Sequence, residues 1–142
     1  MITLLTGKKG SGKTKKLIDM ANAAVEKSNG NVVVIEKGLK LTYDISHNAR
    51  LIDIDSYDVK GGKGLYGFLA GICAGNYDVT DIFVDSTLKI TGTGAEVLEP
   101  LVEELKHLSE ESKANFVLSI SAADEEIPAS VAECVGELKS LL

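Results

Sequence analysis

The sequence predicts a three-layer α/β/α fold on a mostly parallel sheet. Two observations lead there. Short apolar runs rich in β-branched residues alternate with stretches of helical period, and this alternation fills nearly the whole chain. Strands separated by helices are joined by crossovers, which favour parallel pairing and a sheet covered on both faces.

Residues 2–6, ITLLT, are short, apolar and bounded by glycine, as a buried strand requires. From Lys13 the period changes: Leu17, Ala21, Ala24 and Val25 fall on one helical face, and Ser28, Asn29 and Gly30 stop the helix. Residues 31–37, NVVVIEK, form a second buried strand, and residues 49–55, ARLIDID, a shorter third. VKGGKG at 59–64 reads as a loop. Leu65, Phe68, Leu69, Ile72 and Cys73 then repeat at helical spacing up to Gly75 and Asn76. TDIFVD at 80–85 is an apolar strand ending in a carboxylate.

After TGTG at 91–94, either Thr93 and Glu96 make a capping box or Pro100 opens the helix. Leu98, Leu101, Val102, Leu105 and Leu108 are its apolar face. NFVLSIS at 115–121 is the fifth strand. A last helix is expected from Pro128, with Val131, Val135 and Leu138 inward and Asp124, Glu125 and Glu126 near its positive end. No linker or repeat interrupts the pattern, so residues 1–142 are expected to form a single domain.

The chain is 44% hydrophobic and 25% charged, within the range of globular proteins. It has no 18-residue apolar run and its start does not read as a signal peptide, so membrane insertion is not expected and a cytoplasmic location is. Cys73 and Cys134 read as small buried hydrophobes rather than a disulfide, and with two histidines there is no zinc constellation. The net charge of −6 is uneven. Residues 1–40 carry eight Lys against three Asp/Glu, net +5, whereas residues 94–142 carry three Lys against eleven Asp/Glu, net −8. The positive excess surrounds a glycine-rich loop and suits an anionic ligand. The acidic remainder argues against a broad nucleic-acid surface.

That loop is Gly7, Lys8, Lys9, Gly10, Ser11, Gly12, Lys13 and Thr14, which fits the Walker A pattern G-x-x-x-x-G-K-T in full and lies between a predicted strand and a predicted helix. In that setting successive backbone N–H groups and the helix N-terminus face the phosphates of a nucleotide. Lys13 would reach the β- and γ-phosphates, and the Thr14 hydroxyl would sit on Mg²⁺. Asp85, delivered by an apolar strand to its C-terminal edge, is the expected second metal partner. Glu36 closes the second strand at the same edge, placed either to orient attacking water or as a solvated charge. Ser119 and Ser121 share a strand face, from which either could contact the γ-phosphate, as Thr91 or Thr93 could from their loop. Ser86 and Thr87 follow Asp85, where many ATPases carry a glutamate. Arg50 is the sole arginine, so slow hydrolysis by the isolated chain is expected. His47 and His107 have no evident partners and are read as surface or structural residues.

These motifs resemble the P-loop nucleoside triphosphatase superfamily, and their layout is similar to its RecA-like core. The resemblance implies a five-stranded, RecA-like sheet, a phosphate loop after the first strand, a catalytic glutamate closing the second, a Walker B aspartate later, and then a strand with a polar sensor. Gly7 to Thr14, Glu36, Asp85 and Ser119 or Ser121 fall in that order, and DIFVDS is similar to the RecA-type Walker B strand. The chain departs in its sensor strand, which ends in Ser where such recombinases carry Gln. It is also similar in size to small stand-alone bacterial ATP-binding proteins labelled as twitching-motility, pilus-retraction ATPases. The expected function is Mg²⁺-dependent ATP binding with weak or partner-activated hydrolysis, the activator being another protein or self-assembly. A non-catalytic nucleotide-binding adaptor and a small-molecule kinase are the alternatives. No N-K-x-D motif is present to favour GTP.

Overall fold

The computed structural model describes residues 1–136. Their strands are β1 (Ile2–Gly7), β2 (Asn31–Glu36), β3 (Arg50–Asp53), β4 (Val79–Val84), β5 (Asn115–Ser121) and β6 (Val135–Gly136). The helices are α1 (Lys13–Lys27), α2 (Gly61–Gly75), the short α3 (Thr87–Thr91) and α4 (Leu98–Ser112). All six strands join one sheet in the order β3-β2-β4-β5-β1-β6, and every pair is parallel. Their C-terminal ends therefore line up on one edge, which fixes where the loops after β1, β2, β4 and β5 meet.

Strand alternation sorts the side chains into two cores. Leu4, Val33, Ile35, Ile82, Val84, Phe116 and Leu118 face α2, α3 and α4, where Leu65, Leu69, Ile90, Leu101 and Leu105 complete a large cluster. Leu5, Val32, Val34, Phe83 and Val117 face Leu17 and Ala21 of α1, together with Leu41 and Ile45 from the connection after β2. This is a three-layer α/β/α arrangement. The apolar face expected for α4 is buried, whereas on α1 and α2 Leu17, Ala21, Leu65, Leu69 and Cys73 are buried and Ala24, Val25, Phe68 and Ile72 pack half-buried against the cores. No helix among the described residues is long and apolar enough to cross a membrane.

Four expectations need correction. The sheet has six strands rather than the five of the expected RecA-like sheet. The sixth occupies part of the stretch read as a last helix. Pro128 is followed by a 3-10 turn, Ala129–Cys134, which buries Val131 as anticipated, and Val135 then pairs with Leu4 of β1. A two-residue strand carries no periodic signal, so the spacing of Val131 and Val135 imitates a helix; Leu138 lies outside the described residues. Residues 61–64 are helical rather than looped, and Gly62 lets this first turn of α2 approach Val97, whose Cγ2 would lie 2.6 Å from an added Cβ. Finally, α4 starts at Leu98, ahead of Pro100. The Glu96 carboxylate accepts from the Gly94 amide, so no capping box forms with Thr93.

Cys73 is buried and Cys134 half-buried, and both are free thiols. Burial pushes both thiol pKa values up, which keeps them protonated and supports their packing role.

Gly30 marks a close approach. The Asn31 amide donates to the Asp78 carbonyl at 2.7 Å, and a Cβ on Gly30 would collide with that same carbonyl oxygen. Gly30→Ala is expected to destabilise the fold by about 1–3 kcal/mol, the usual range for overpacking. An unchanged urea midpoint would show that the β2 entry relaxes freely.

Candidate functional site

The loop between β1 and α1 turns on glycines at positive φ, notably Gly10 at +86° and Gly12 at +93°. An L side chain rarely adopts either conformation. The Ser11 amide donates to the Lys8 carbonyl at 3.1 Å, which tightens the turn, and the Lys16 amide donates to Gly12 at 3.1 Å to begin α1. No side chain caps this helix and its first turn holds no acidic residue. Its leading N–H groups and positive dipole end are thus left for an anion.

Lys13 folds back across the loop. Its Nζ donates to the Lys8 carbonyl at 2.9 Å and to Ser11 Oγ at 3.4 Å, and the residue is only 6% exposed. Burial pushes its ammonium pKa below the ordinary lysine value, with the nearby Asp85 carboxylate acting in the opposite direction.

Asp85 is the hub on the facing strand end. Ser119 Oγ donates to Oδ1 at 2.7 Å, and Thr14 Oγ1 lies 3.2 and 3.4 Å from the two carboxylate oxygens. The Ser86 amide donates to Ser119 Oγ at 2.8 Å. Ser86 holds a left-handed backbone, φ +56°, which is uncommon for a residue with a side chain. Parity places Ser119 on the α1 side of β5, with Val117, and β5 lies between β1 and β4. The serine therefore reaches the aspartate that ends the neighbouring strand. Ser119→Ala removes a donor to a buried carboxylate and the acceptor of the Ser86 amide. It should cost about 1–3 kcal/mol in chemical denaturation; no loss would mean that water replaces both bonds freely.

Glu36 is 2% exposed, and its carboxylate accepts from the Lys40 amide at 2.8 Å and the Leu41 amide at 3.1 Å. Ser121 is exposed at the end of β5.

Lys9, Gly10, Gly12, Lys13, Thr14, Glu36, Asp85, Ser119 and Ser121 all line one cleft of about 470 Å³ at the C-terminal edge of the sheet. Gly7, Lys8 and Ser11 shape the loop behind it without lining it. Sequence reasoning passed over Lys15, Lys37, Lys40, Leu41, Ser86 and Lys89, which share the cleft. Lys40 and Leu41 lie in a stretch with no periodicity, and only Glu36 before it marked that strand end. Thr91 and Thr93 hydrogen-bond each other at 2.8 Å at the end of α3 and do not line the cleft. Arg50, His47 and His107 also lie outside it.

A larger groove, about 540 Å³, opens between α1 and the opposite ends of β1, β4 and β5. Its walls include Met20, Ala24, Phe83 and Val117, and it holds none of the predicted site residues. Size favours that groove; polar chemistry and positive charge favour the cleft, which has six lysines among its walls. Among the described residues no group of three or more His, Cys, Asp or Glu is placed to hold a metal ion. No protein-family model matches the chain, and no curated protein matches it in sequence.

Proposed function

We propose that this chain is a single P-loop nucleotide-binding domain of RecA-like kind, which binds ATP with Mg²⁺ and hydrolyses it weakly or when activated by a partner. One observation carries the reading: the Thr14 hydroxyl meets the Asp85 carboxylate at the mouth of the loop that Lys13 spans. A hydroxyl and a carboxylate are hard oxygen donors. Mg²⁺ commonly takes one or two such protein ligands and completes its shell with phosphate oxygens and water, so a larger acidic cluster is not required.

Thr14 and Asp85 would hold the ion, which when bound supplies charge neutralisation at the phosphates. Lys13 binds the β- and γ-phosphates by exchanging its contact with the Lys8 carbonyl for theirs. The loop amides and the α1 N-terminus cradle the same groups. Ser119 keeps Asp85 oriented, Ser121 stands beside the γ-phosphate, and Glu36 orients water. The absence of an N-K-x-D motif favours ATP over GTP.

A second reading, a non-catalytic adaptor that uses ATP as a ligand, is favoured by the engagement of Glu36 with two amides and by Ser86 and Thr87 standing after Asp85. Both readings share the binding step. Calorimetric titration of a Mg²⁺-bound, non-hydrolysable ATP analogue is expected to show one site, weakened by EDTA. Absence of heat up to millimolar analogue would overturn both.

A further inference from the structure

We propose that residues 37–40 form a strap that restrains Glu36, so that the short contact between its carboxylate and the Lys40 amide limits the rate of ATP hydrolysis. The inference rests on the reading of the cleft as an ATP site.

The Glu36 oxygens are turned toward the strap and Leu41 after it. One accepts from the Lys40 amide at 2.8 Å and the Leu41 amide at 3.3 Å, and the other from the Leu41 amide at 3.1 Å. Yet Glu36 also lines the cleft with Thr14 and Asp85, at the edge where a γ-phosphate would lie. A carboxylate that serves as general base must point an oxygen at the attacking water within hydrogen-bond reach. Here the Lys40 amide competes with water for one oxygen, while the Leu41 amide holds the other.

The strap is built to move. Lys37, Leu39 and Lys40 are exposed, and Gly38 turns the chain at φ +106°. Besides Glu36, its attachments are polar: the Gly38 amide donates to Asp53 at 2.9 Å, and Lys37 pairs with Asp55 at 2.6 Å. Firm anchoring begins only at Leu41 and Ile45, which are buried against α1, where the Asn22 side chain bonds the Asp44 carbonyl and the Ser46 amide. A short exposed segment held by polar contacts between two packed ends opens at lower free energy than the core around it.

Once the strap lifts, Glu36 Oε1 loses its short bond to Lys40 and is free to act, while Oε2 stays on the anchored Leu41 amide. The water oxygen bonds to the γ-phosphorus, the β–γ bridging oxygen departs with ADP, and the water proton passes to Glu36 and on to solvent.

The test is steady-state phosphate release, with analogue binding measured on every variant. Lys40→Pro deletes the amide that gives the shortest bond. Asp53→Ala loosens the strap from outside the cleft and keeps the test open if Lys40→Pro folds poorly. Each is expected to raise turnover about ten- to a hundredfold, up to the lower limit of the roughly 10²–10⁴-fold that a general base contributes. Leu39→Ala, which changes an exposed strap side chain outside the cleft and keeps every amide, gives no rise, and adding Glu36→Gln to either activating variant removes the rise. Flat or falling turnover in Lys40→Pro and Asp53→Ala, with analogue affinity intact, would overturn the restraint and show that the strap merely orients Glu36. Absence of analogue binding in the wild type would instead sink the ATP reading itself.

Discussion

Lys13→Ala is expected to weaken binding of the Mg²⁺-bound ATP analogue by about ten- to a hundredfold or more while leaving the fold intact. A hydrogen bond from a charged donor is worth about 1.5–3 kcal/mol, and each 1.4 kcal/mol is about tenfold in affinity. The stability side follows from the direction of the Lys13 pKa. Burial lowers it in the folded chain, so below the ordinary lysine value the unfolded chain holds this proton more tightly. The charged ammonium therefore opposes folding at neutral pH, and its contribution becomes less unfavourable as pH rises through the folded pKa. Replacing it should leave the melting temperature of the free protein unchanged or raise it slightly. Calorimetry paired with thermal melting checks both halves. Equal affinity in wild type and variant would remove the loop from the binding site, and a large drop in melting temperature would show that Lys13 is a structural post rather than a ligand for phosphate.

Phe116→Ala should produce the largest loss of stability. Phe116 is fully buried in β5, paired with Ile2 of β1 on one side and Ile82 of β4 on the other. Its side chain belongs to the core beneath α4, and its amide donates to the Met1 carbonyl at 2.9 Å. Truncating a buried phenylalanine typically costs about 3–5 kcal/mol, out of the 5–15 kcal/mol that holds a domain together. At roughly 2–4 °C per kcal/mol for a chain near this size, the melting temperature should fall by about 10 °C. Phe116 starts its strand at the edge opposite the cleft, so the folded fraction should still bind the ATP analogue. A cost below about 1 kcal/mol would mean that the core collapses around the gap, contrary to close packing.

Much of this architecture is legible in the chain. The runs at 2–6, 31–37 and 115–121 are apolar because their strands are covered on both faces, and continuous apolarity survives reading without a structure. The glycine-rich loop is equally legible, since its backbone path restricts which residues fit. Asp85 stands out as a charge ending an apolar run. By contrast, Val135 and Gly136 are too few to show a period, and the five residues of α3 too short. Both owe their conformation to neighbours: β6 to the open edge of β1, and α3 to the turn after Asp85.

The sequence by itself determined the layer type, the main strands and the loop, because each depends on local periodicity or on local steric demands. Tertiary structure alone decided the strand order, which brings β5 between β1 and β4 and so puts Ser119 on Asp85 at 2.7 Å. It also decided that Glu36 faces the Lys40 and Leu41 amides. A carboxylate at a strand end is the same letter whether it meets water or a backbone N–H, and only the path of the following segment in space fixes which one it meets.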